Sequence, residues 1–591
     1  MASILTPVPD PGREFIGRQR EIDALQAALD AAIDGRPGIV LLAGEPGIGK
    51  TRTAQQLADR AASRQVLALW GRCPEEPGAP PYWPWLQLIR RYVALHDAAA
   101  LETTLGRAGP LIAALDPELA SRLNVEATPA AVEPDAPRAR FRLFDAIAGF
   151  WRRAAARQPL LLVIDDLHRA DVASLRLLEF VIAEADASRV LVLGTYRDGE
   201  VTRRHPLSDT LAELNRAVKV QRLLLGGFSA AETARFLAAA TGAESIEMAS
   251  ALHDQTAGHP LFLSELARDL PQAGSSGIRQ PPGHVPKGVR DVIGARLNRL
   301  TPHCVGVLQS AAVFGREFRL DLLCRLFDEL TEEQVQGALE EARIASLVGE
   351  LTEPGHHQFT HALVRDTLYD ELPPRRRADL HRRIGAAFES RYSPDLSGCL
   401  SVLAYHCHAA GPAGDAAKAI EYATRAAEQA TAMQAHEEAA LHYRHAGATL
   451  PTEPATDAQR CRLLLGLGGA ENSAGLSAQA LSTFAAATEC ARRVGDASLL
   501  ARSALGFADA QWRLGIEGSQ AAALIHDALA HPEADATHER CALLGALCQA
   551  LLFSNRPDEA ETAFREAVAI ARRLDDPMTL FRALCAILPG R

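Results

Sequence analysis

The sequence contains no Cys-x-x-Cys pair, no excess of basic residues and no long apolar run. The scattered positions of its ten cysteines favour free thiols in a reducing compartment. A formal net charge of −11 argues against a chain-wide basic surface for nucleic acid or anionic lipid. No apolar run approaches the ~18 residues that a membrane-spanning helix needs, and residues 1–11 lack a signal-peptide pattern. We therefore expect a soluble, cytoplasmic protein.

Five short apolar runs in the first part of the chain are typical of strands buried on both faces of a parallel sheet. Helical stretches rich in alanine, leucine and arginine separate these runs. The alternation predicts an α/β doubly wound domain. The runs are residues 38–43, 66–70, 160–165, 190–195 and 221–225.

An alanine, large residue, alanine pattern recurs in the last third of the chain, with spacings of 41, 41 and 39 residues. Small residues let neighbouring helices approach, and the large residue fills the gap between them. The pattern predicts a tetratricopeptide-like solenoid, and an alanine-rich bundle without repeats is the alternative. The four copies are Ala439-Tyr443-Ala446, Ala480-Phe484-Ala487, Ala521-Ile525-Ala528 and Ala560-Phe564-Ala567.

The chain has 591 residues, enough for roughly four domains, and these patterns indicate where the domains divide. Helices followed by a hairpin-like stretch after residue 286 predict a winged-helix-like module. A Pro/Gly/Ser-rich segment before it is typical of a linker. The predicted order is a tail at 1–14, the α/β domain at 15–228, a small helical lid segment at 229–270, a linker at 271–285, the winged-helix-like domain at 286–374 and the helical repeats at 375–591.

Residues 44–51 match GxxxxGK[ST] between a predicted strand and a predicted helix, which is the context of a phosphate-binding P-loop. Glycines let the backbone wrap round a phosphate, and the helix N-terminus favours an anion. Lys50 is expected to reach the β- and γ-phosphates of ATP, and the Thr51 hydroxyl to bind Mg²⁺. The predicted nucleotide-binding residues here are Gly44, Glu45, Pro46, Gly47, Ile48, Gly49, Lys50, Thr51 and Arg52.

Two acids follow the third apolar run, where the carboxyl ends of parallel strands meet. We expect Asp165 to hold Mg²⁺, and Asp166 to orient or deprotonate the attacking water. The alternative is a structural role at the end of the strand.

Three further positions are candidates with open alternatives. Arg197 follows the fourth run and is expected to point towards the γ-phosphate, or else it is a surface arginine. Pro260, in Gly258-His259-Pro260, either approaches the nucleotide or only starts a helix. His361 is either a nucleotide contact or a structural histidine.

Together these residues resemble the STAND-type regulatory P-loop ATPases, which are close to the AAA+ superfamily. Phe15-Ile16-Gly17-Arg18-Gln19-Arg20-Glu21 is similar to the family's entry motif, so Ile16, Gly17 and Arg18 are implied to lie near the adenine. Asp165-Asp166-Leu167-His168-Arg169-Ala170-Asp171, Gly194-Thr195-Tyr196-Arg197-Asp198, Gly258-His259-Pro260-Leu261-Phe262 and Phe359-Thr360-His361-Ala362-Leu363-Val364-Arg365 resemble further family motifs. Arg169 stands where Trp is usual, and His259 stands where Asn is usual. By this analogy, His361 is implied to face the β-phosphate of ADP.

Within this group, the sequence resembles the large ATP-binding LuxR-type transcriptional regulators. Gly71-Arg72-Cys73 and Ala79-Pro80-Pro81-Tyr82-Trp83-Pro84-Trp85 carry that resemblance. A related ATPase and repeat region accompanies soluble adenylyl cyclase domains. No terminal helix-turn-helix and no cyclase segment is visible, so direct DNA binding by this chain is not expected.

The resemblance implies a slowly hydrolysing signalling switch with ATP or ADP and Mg²⁺ as its cofactors. Its implied catalytic residues are Lys50, Asp166 and Arg197, and its metal ligands are Thr51 and Asp165. The helical repeats would bind a small-molecule inducer or a partner protein, and the ATP state would self-associate. The alternatives are a scaffold that bound nucleotide only stabilises, and a regulatory portion that acts with a nucleotide cyclase.

Overall fold

The computed structural model describes residues 15–74, 78–123, 136–217, 220–241, 245–268, 294, 296–345, 347–351, 353–531 and 538–586. The chain divides into two compact units. The first unit extends to residue 402 and also includes residues 409–414. The second unit contains residues 403–408 and the described residues between 415 and 586.

A five-stranded parallel sheet forms the centre of the first unit, with the order β2-β3-β4-β1-β5. All residues of the third and fourth strands are buried, which explains their nearly continuous apolar sequences. The predicted α/β architecture is confirmed. The strands are β1 Gly38–Ala43, β2 Leu67–Arg72, β3 Leu160–Asp165, β4 Val190–Tyr196 and β5 Val220–Leu224.

Helices cover this sheet and bury apolar side chains against it. Leu25 of the first helix and Leu57 of the second share a core with Val40 and Leu161 of the strands. The helices are α1 Gln19–Ile33, α2 Lys50–Ala62, α3 Trp83–Leu95, α4 Ala98–Leu105, α5 Gly109–Ala113, α6 Pro117–Leu123, α7 Ala136–Arg157, α8 Val172–Ala183 and α9 Pro206–Ala217.

Three short helices follow the sheet, where the sequence predicts the small helical segment: α10 Ala230–Thr241, α11 Ile246–Thr256 and α12 Pro260–Arg268. Close backbone contact attaches them to the chain that leaves β5. The amide of Phe228 donates to the carbonyl of Gly258 at 2.8 Å. A Cβ on Gly227 would lie 2.0 Å from the carbonyl oxygen of Ala257, so only glycine fits this approach.

A small antiparallel sheet with flanking helices occupies the next part of the first unit. Its strand order is β6-β8-β7, and the predicted hairpin corresponds to β7 and β8, whereas β6 is an additional strand. The predicted linker at 271–285 lies outside the described residues. The elements are α13 Pro302–Phe314, β6 Glu317–Arg319, α14 Leu320–Cys324, α15 Glu332–Ile344, β7 Val348–Glu350, β8 His356–Phe359, α16 Ala362–Asp370 and α17 Pro374–Tyr392.

The remaining described elements are helices, most of them in the second unit. The four copies of the sequence pattern lie on α20, α22, α24 and α26, so each falls on every second helix, and the predicted repeat is confirmed. The helices are α18 Leu400–Ala410, α19 Ala416–Ala432, α20 His436–Thr449, α21 Asp457–Ser473, α22 Ser477–Val494, α23 Ala497–Leu514, α24 Ser519–Leu529, α25 His538–Phe553, α26 Pro557–Leu574 and α27 Pro577–Cys585.

In two of the copies, the large residue packs where neighbouring helices carry glycine. A Cβ on Gly468 of α21 would lie 2.8 Å from the ring of Phe484, and a Cβ on Gly506 of α23 would lie 2.3 Å from it. Tyr443 meets Gly466 in the same manner, with 2.4 Å to an added Cβ. Aromatic rings therefore set the spacing of the helices where the small residues admit them.

Within the described ranges, no helix combines the length and the apolar composition that a bilayer-crossing segment needs.

We predict that two adjacent glycines of α21 respond in opposite ways to alanine. Gly468→Ala should lower the free energy of unfolding by about 1–3 kcal/mol, because the new methyl group overlaps the buried ring of Phe484. Gly469→Ala should leave it unchanged or raise it by up to ~1 kcal/mol, since nothing lies within 4 Å of its added Cβ. Urea unfolding followed by circular dichroism measures both. Equal effects would contradict this packing of the repeat.

Candidate functional site

The loop between β1 and α2 folds around its own backbone amides. Gly44, Gly47 and Gly49 have φ angles of +154°, +79° and +102°, a region that side chains with a Cβ rarely adopt. Helix α2 begins at Lys50, so its free N-terminal amides face the loop. Such an arrangement of amides and helix dipole binds a phosphate.

Lys50 lies over this loop and is only 6% exposed. Its ammonium donates to the carbonyls of Gly44 and Glu45 at 2.9 and 2.8 Å. Burial lowers its pKa, while the carboxylate of Asp166 acts in the opposite direction. A buried ammonium that bonds only neutral carbonyls is poised to accept an anionic partner, because hydrogen bonds between charged groups are the stronger ones.

Asp165, at the end of β3, is the buried acid of the site. Its carboxylate accepts from the Thr51 hydroxyl at 3.1 and 3.2 Å and from the Thr195 hydroxyl at 2.5 Å. Burial, and next the charge of Asp166, raise its pKa, which these hydrogen bonds partly offset. Thr195 lies on β4, between β1 and β3 in the sheet. The sequence analysis did not assign a role to Thr195.

The donor set around Asp165 fits a magnesium ion. Carboxylate and hydroxyl oxygens are the ligands that Mg²⁺ prefers, and it usually takes one or two from the protein and the rest from phosphates and water. Thr51 and Asp165 supply two such oxygens beside the phosphate loop. A cation would also stabilise the ionised form of this buried carboxyl group.

Asp166 follows in a strained conformation, with φ 60° and ψ 44°, and its amide donates to the Thr195 hydroxyl at 3.0 Å. Arg72, the last residue of β2, places its guanidinium 3.4 Å from the Asp166 carboxylate. The same guanidinium lies 3.8 Å from the carboxylate of Glu317 on β6. Arg72 therefore joins the predicted catalytic acid to the small antiparallel sheet.

Sequence reasoning missed that Arg72 contacts the carboxylates of both Asp166 and Glu317. The apolar run that predicted β2 ended at residue 70, whereas the strand continues to Arg72. Glu317 lies on β6, which was not predicted. The signal that was available is Gly71-Arg72-Cys73, which entered only as part of a resemblance.

Arg197 is buried at the end of β4 and pairs with Glu200, at 2.7 Å. The other oxygen of Glu200 lies 3.3 Å from the Arg169 guanidinium and 3.5 Å from the His168 imidazole. Burial lowers the pKa of His168 to about 3, so this imidazole is neutral at pH 7. Glu200 thus pairs with two arginines, Arg197 and Arg169, beside the loop. Sequence reasoning did not single out Glu200. An approach of Arg197 to a γ-phosphate stays a prediction.

The entry motif touches both the phosphate loop and the small helical segment. The Arg18 guanidinium donates to the carbonyl of Ile48 at 2.8 Å, and its amide donates to the Glu232 carboxylate at 2.9 Å. A Cβ on Gly17 would lie 2.5 Å from that carboxylate, and the φ of +75° there also favours glycine. Ile16 precedes this contact. The adenine role of all three residues stays a prediction.

The start of α12 packs on the phosphate loop. The His259 imidazole donates from Nε2 to the carbonyl of Pro46 at 3.1 Å. A Cβ on Gly47 would lie 2.7 Å from the side chain of Leu261. Pro260, between these two residues, is the first residue of α12. Pro260 therefore starts a helix and also lies beside the loop, which fits both alternatives of the sequence analysis.

The two other candidates lie at helix beginnings. Arg52 is half-buried in the first turn of α2. His361 is half-buried between β8 and α16, at the N-cap of α16, where it makes no side-chain cap. Their roles towards a nucleotide stay predictions.

Known proteins resemble this chain over different lengths. Residues 14–193 match the family described as AAA ATPase domain. An uncharacterised protein of Rhizobium meliloti (strain 1021) is 23% identical over 432 residues, which are 68% of this chain and 39% of the relative. This chain thus spans well under half of that relative's length.

Two solved structures are similar at lower identity. A signal transduction ATPase with numerous domains (STAND) with a tetratricopeptide repeat sensor, from Pyrococcus horikoshii, has 13% identity and a TM-score of 0.44. The similarity covers 98% of this chain and 81% of that chain. A RuvB variant of Thermotoga maritima has 17% identity and a TM-score of 0.24. That similarity covers 61% of this chain and 97% of the RuvB chain.

The family match and the geometry of the loop lead to the same assignment. The family covers the phosphate loop, the acids that end β3 and most of β4. The predicted P-loop ATPase is confirmed for this part of the sequence. The chain therefore carries an AAA-type P-loop ATPase domain at residues 14–193, and a helix-rich region follows it.

Proposed function

We propose that this protein is a STAND-type signalling ATPase whose nucleotide state is coupled to its C-terminal region. The observation that carries the proposal is the position of the Arg72 guanidinium, which contacts the carboxylate of Asp166 on one side and that of Glu317 on the other. A charge at the hydrolysis site is thereby linked to a separate structural module within the first unit. Only an interaction that differs between two states can shift their equilibrium, and this ion pair is such an interaction.

In the proposed mechanism, the loop amides and Lys50 hold the β- and γ-phosphates of ATP. Thr51 and Asp165 would hold the Mg²⁺, which would neutralise phosphate charge when it is bound. Asp166 orients the attacking water and accepts its proton once Arg72 releases the carboxylate. Arg197 exchanges Glu200 for the γ-phosphate.

The other predicted contacts complete this proposal. The residues 16–18 lie near the adenine, and Arg52 and Pro260 line the nucleotide. His361 contacts ADP in a closed state, so exchange for ATP opens the module and favours self-association. Glu232, which accepts from Arg18 and from Ser229, holds the adenine side to α10.

The proposed domains are those of the sequence analysis, with a winged-helix-like module at 286–374 and a sensor at 375–591. The order helix, strand, helix, helix, strand, strand from α13 to β8 supports a winged helix. We propose that the repeats bind an inducer or a partner protein in the cytoplasm. The output is transcriptional regulation, which the resemblance to LuxR-type regulators suggests.

A second candidate is a scaffold that bound nucleotide stabilises without hydrolysis. The ion pair of Asp166 with Arg72 favours it, because Arg72 contacts the carboxylate that would have to meet the attacking water. The two candidates agree in nucleotide binding, which the first experiment below tests, and differ in turnover, which the next two experiments measure.

Lys50→Ala should weaken ATP binding by about 10- to 150-fold. It removes a hydrogen bond to a charged phosphate, which is worth about 1.5–3 kcal/mol. Calorimetric titration with ATP and Mg²⁺ measures the affinity. Arg60→Ala, in the last turn of the same helix, is the control and should bind as the wild type does. Unchanged affinity in Lys50→Ala would remove the phosphate site from this loop.

Asp166→Asn should keep ATP and Mg²⁺ bound while phosphate release falls by about 10²–10⁴-fold. Asparagine conserves the shape of the side chain but cannot accept a proton. Parallel binding and turnover assays measure the two effects. Wild-type turnover would place the base elsewhere, and loss of Mg²⁺ binding would make Asp166 a metal ligand.

Arg72→Gln and Glu317→Gln should change turnover in opposite directions. Freeing Asp166 from Arg72 should raise the rate of hydrolysis by about 1.5- to 5-fold, the effect of a partly exposed ion pair. Removing the Glu317 charge leaves the guanidinium to Asp166 alone and should lower the rate to a similar extent. Steady-state phosphate release at saturating ATP measures both rates.

Glu350→Gln is the matched control for this pair, because Glu350 lies on β7 of the same small sheet. Its rate should equal that of the wild type. Equal rates of phosphate release in all three variants would show that the small sheet is not coupled to the hydrolysis site.

A further inference from the structure

A cleft of 440 Å³ lies within the second unit, between α23, α25 and α27. This volume falls in the range of sites that hold small organic ligands, about 300–1,000 Å³. Small residues on the helices, such as Ala508 and Ala546, create the space. The cleft is separate from the nucleotide site, which belongs to the first unit.

One wall of the cleft is aromatic. The rings of Trp512 and Phe553 meet edge to face with their centroids 4.5 Å apart. Phe553 is 41% exposed, and Ile516 beside the same cleft is 45% exposed. Large apolar side chains that remain exposed around a concave surface are typical of a binding site. This wall suits the flat or apolar body of a ligand.

The acids that line the cleft already have partners. Asp509 accepts from Asn472 at 2.6 Å and from Arg513 at 3.0 Å. Asp576 caps α27, where it accepts from the amides of Met578 and Thr579 and from the Thr579 hydroxyl. Both carboxylates therefore already accept hydrogen bonds from donors of the fold.

Two donor side chains that line the cleft, those of Arg582 and Gln549, have no such partner within the described part of the chain. Among the residues that the structure describes, the side chains of Arg582 and Gln549 take part in no hydrogen bond and in no ion pair. Arg582 lies on α27 and Gln549 on α25, so they face the cleft from two of its three helices. A guanidinium offers a planar pair of N–H donors that matches a carboxylate.

We propose that this cleft binds a small organic carboxylate with an aromatic or apolar body. Arg582 holds the carboxylate, Trp512 and Phe553 contact the body, and Gln549 donates a further hydrogen bond. The proposal deepens the sensor role proposed for the repeats and rests on that role only for its signalling consequence. The binding itself is independent of the nucleotide.

The test is a ligand-observed NMR titration of 3-phenylpropanoate and of its neutral amide against the full chain. The carboxylate should bind, and the amide should bind about 10- to 150-fold more weakly, because it lacks the charged hydrogen bond to Arg582. Arg582→Gln should weaken the carboxylate by the same factor and leave the amide unchanged. Equal binding of the two probes, or binding of neither, would overturn the proposal.

Two control variants keep this test specific. Arg573→Gln, on the neighbouring helix α26 and away from the cleft, should bind the carboxylate as the wild type does. Ala546→Leu fills the cleft and should abolish binding of both probes, and a thermal melt shows whether each variant is folded. Equal losses in Arg582→Gln and Arg573→Gln would mean only general charge attraction.

A Lys50→Ala chain separates this proposal from the proposed ATPase. It should lose nucleotide affinity and keep the carboxylate affinity of the wild type. Retained ATP binding in the wild type with no carboxylate binding would overturn the cleft proposal alone. The reverse result would overturn the nucleotide proposal alone.

Discussion

Burial of the Asp165 carboxylate is the constraint on which the nucleotide site depends. A buried carboxyl group is costly unless hydrogen bonds or a cation compensate for its lost hydration. The hydroxyls of Thr51 and Thr195 provide that compensation from α2 and from β4. The strand order, with β4 between β1 and β3, is what lets both reach the same acid. The site is therefore a property of the sheet and not of the loop alone.

Polar contacts connect the phosphate loop and the acids beside it to α10, α12 and β6. Arg18 joins it to α10 through Glu232, His259 joins it to α12, and Arg72 joins the neighbouring acid to β6. Each of these contacts would change if a phosphate bound in the loop or if the contacting helix or strand moved. These contacts are the route by which the proposed switch would connect nucleotide chemistry to the rest of the first unit.

Features that a contiguous stretch of sequence encodes, such as strands and the phosphate loop, were predicted. Contacts between side chains far apart in the sequence were missed. Apolar runs gave the bounds of β1 and β3, and the glycine spacing gave the loop, because both are contiguous in the chain. The alanine pattern gave the repeat, and in two of its copies the rings of Tyr443 and Phe484 meet glycines of adjacent helices. Glu232 and Arg18 are 214 residues apart, and no local pattern pairs them. Thr195 and Glu317 were missed for the same reason, and Glu200 was missed because its second oxygen meets His168 and Arg169 of another segment.

The most direct test of the account is phosphate release from ATP in a single turnover, with an excess of protein over nucleotide. The experiment is run once with Mg²⁺ and once with a chelator. The account predicts slow, magnesium-dependent conversion of all bound ATP to ADP on the protein, because in the proposed mechanism Asp165 and Thr51 would hold the metal and Asp166 would activate water. Bound ATP that remains intact in the presence of Mg²⁺ would contradict it.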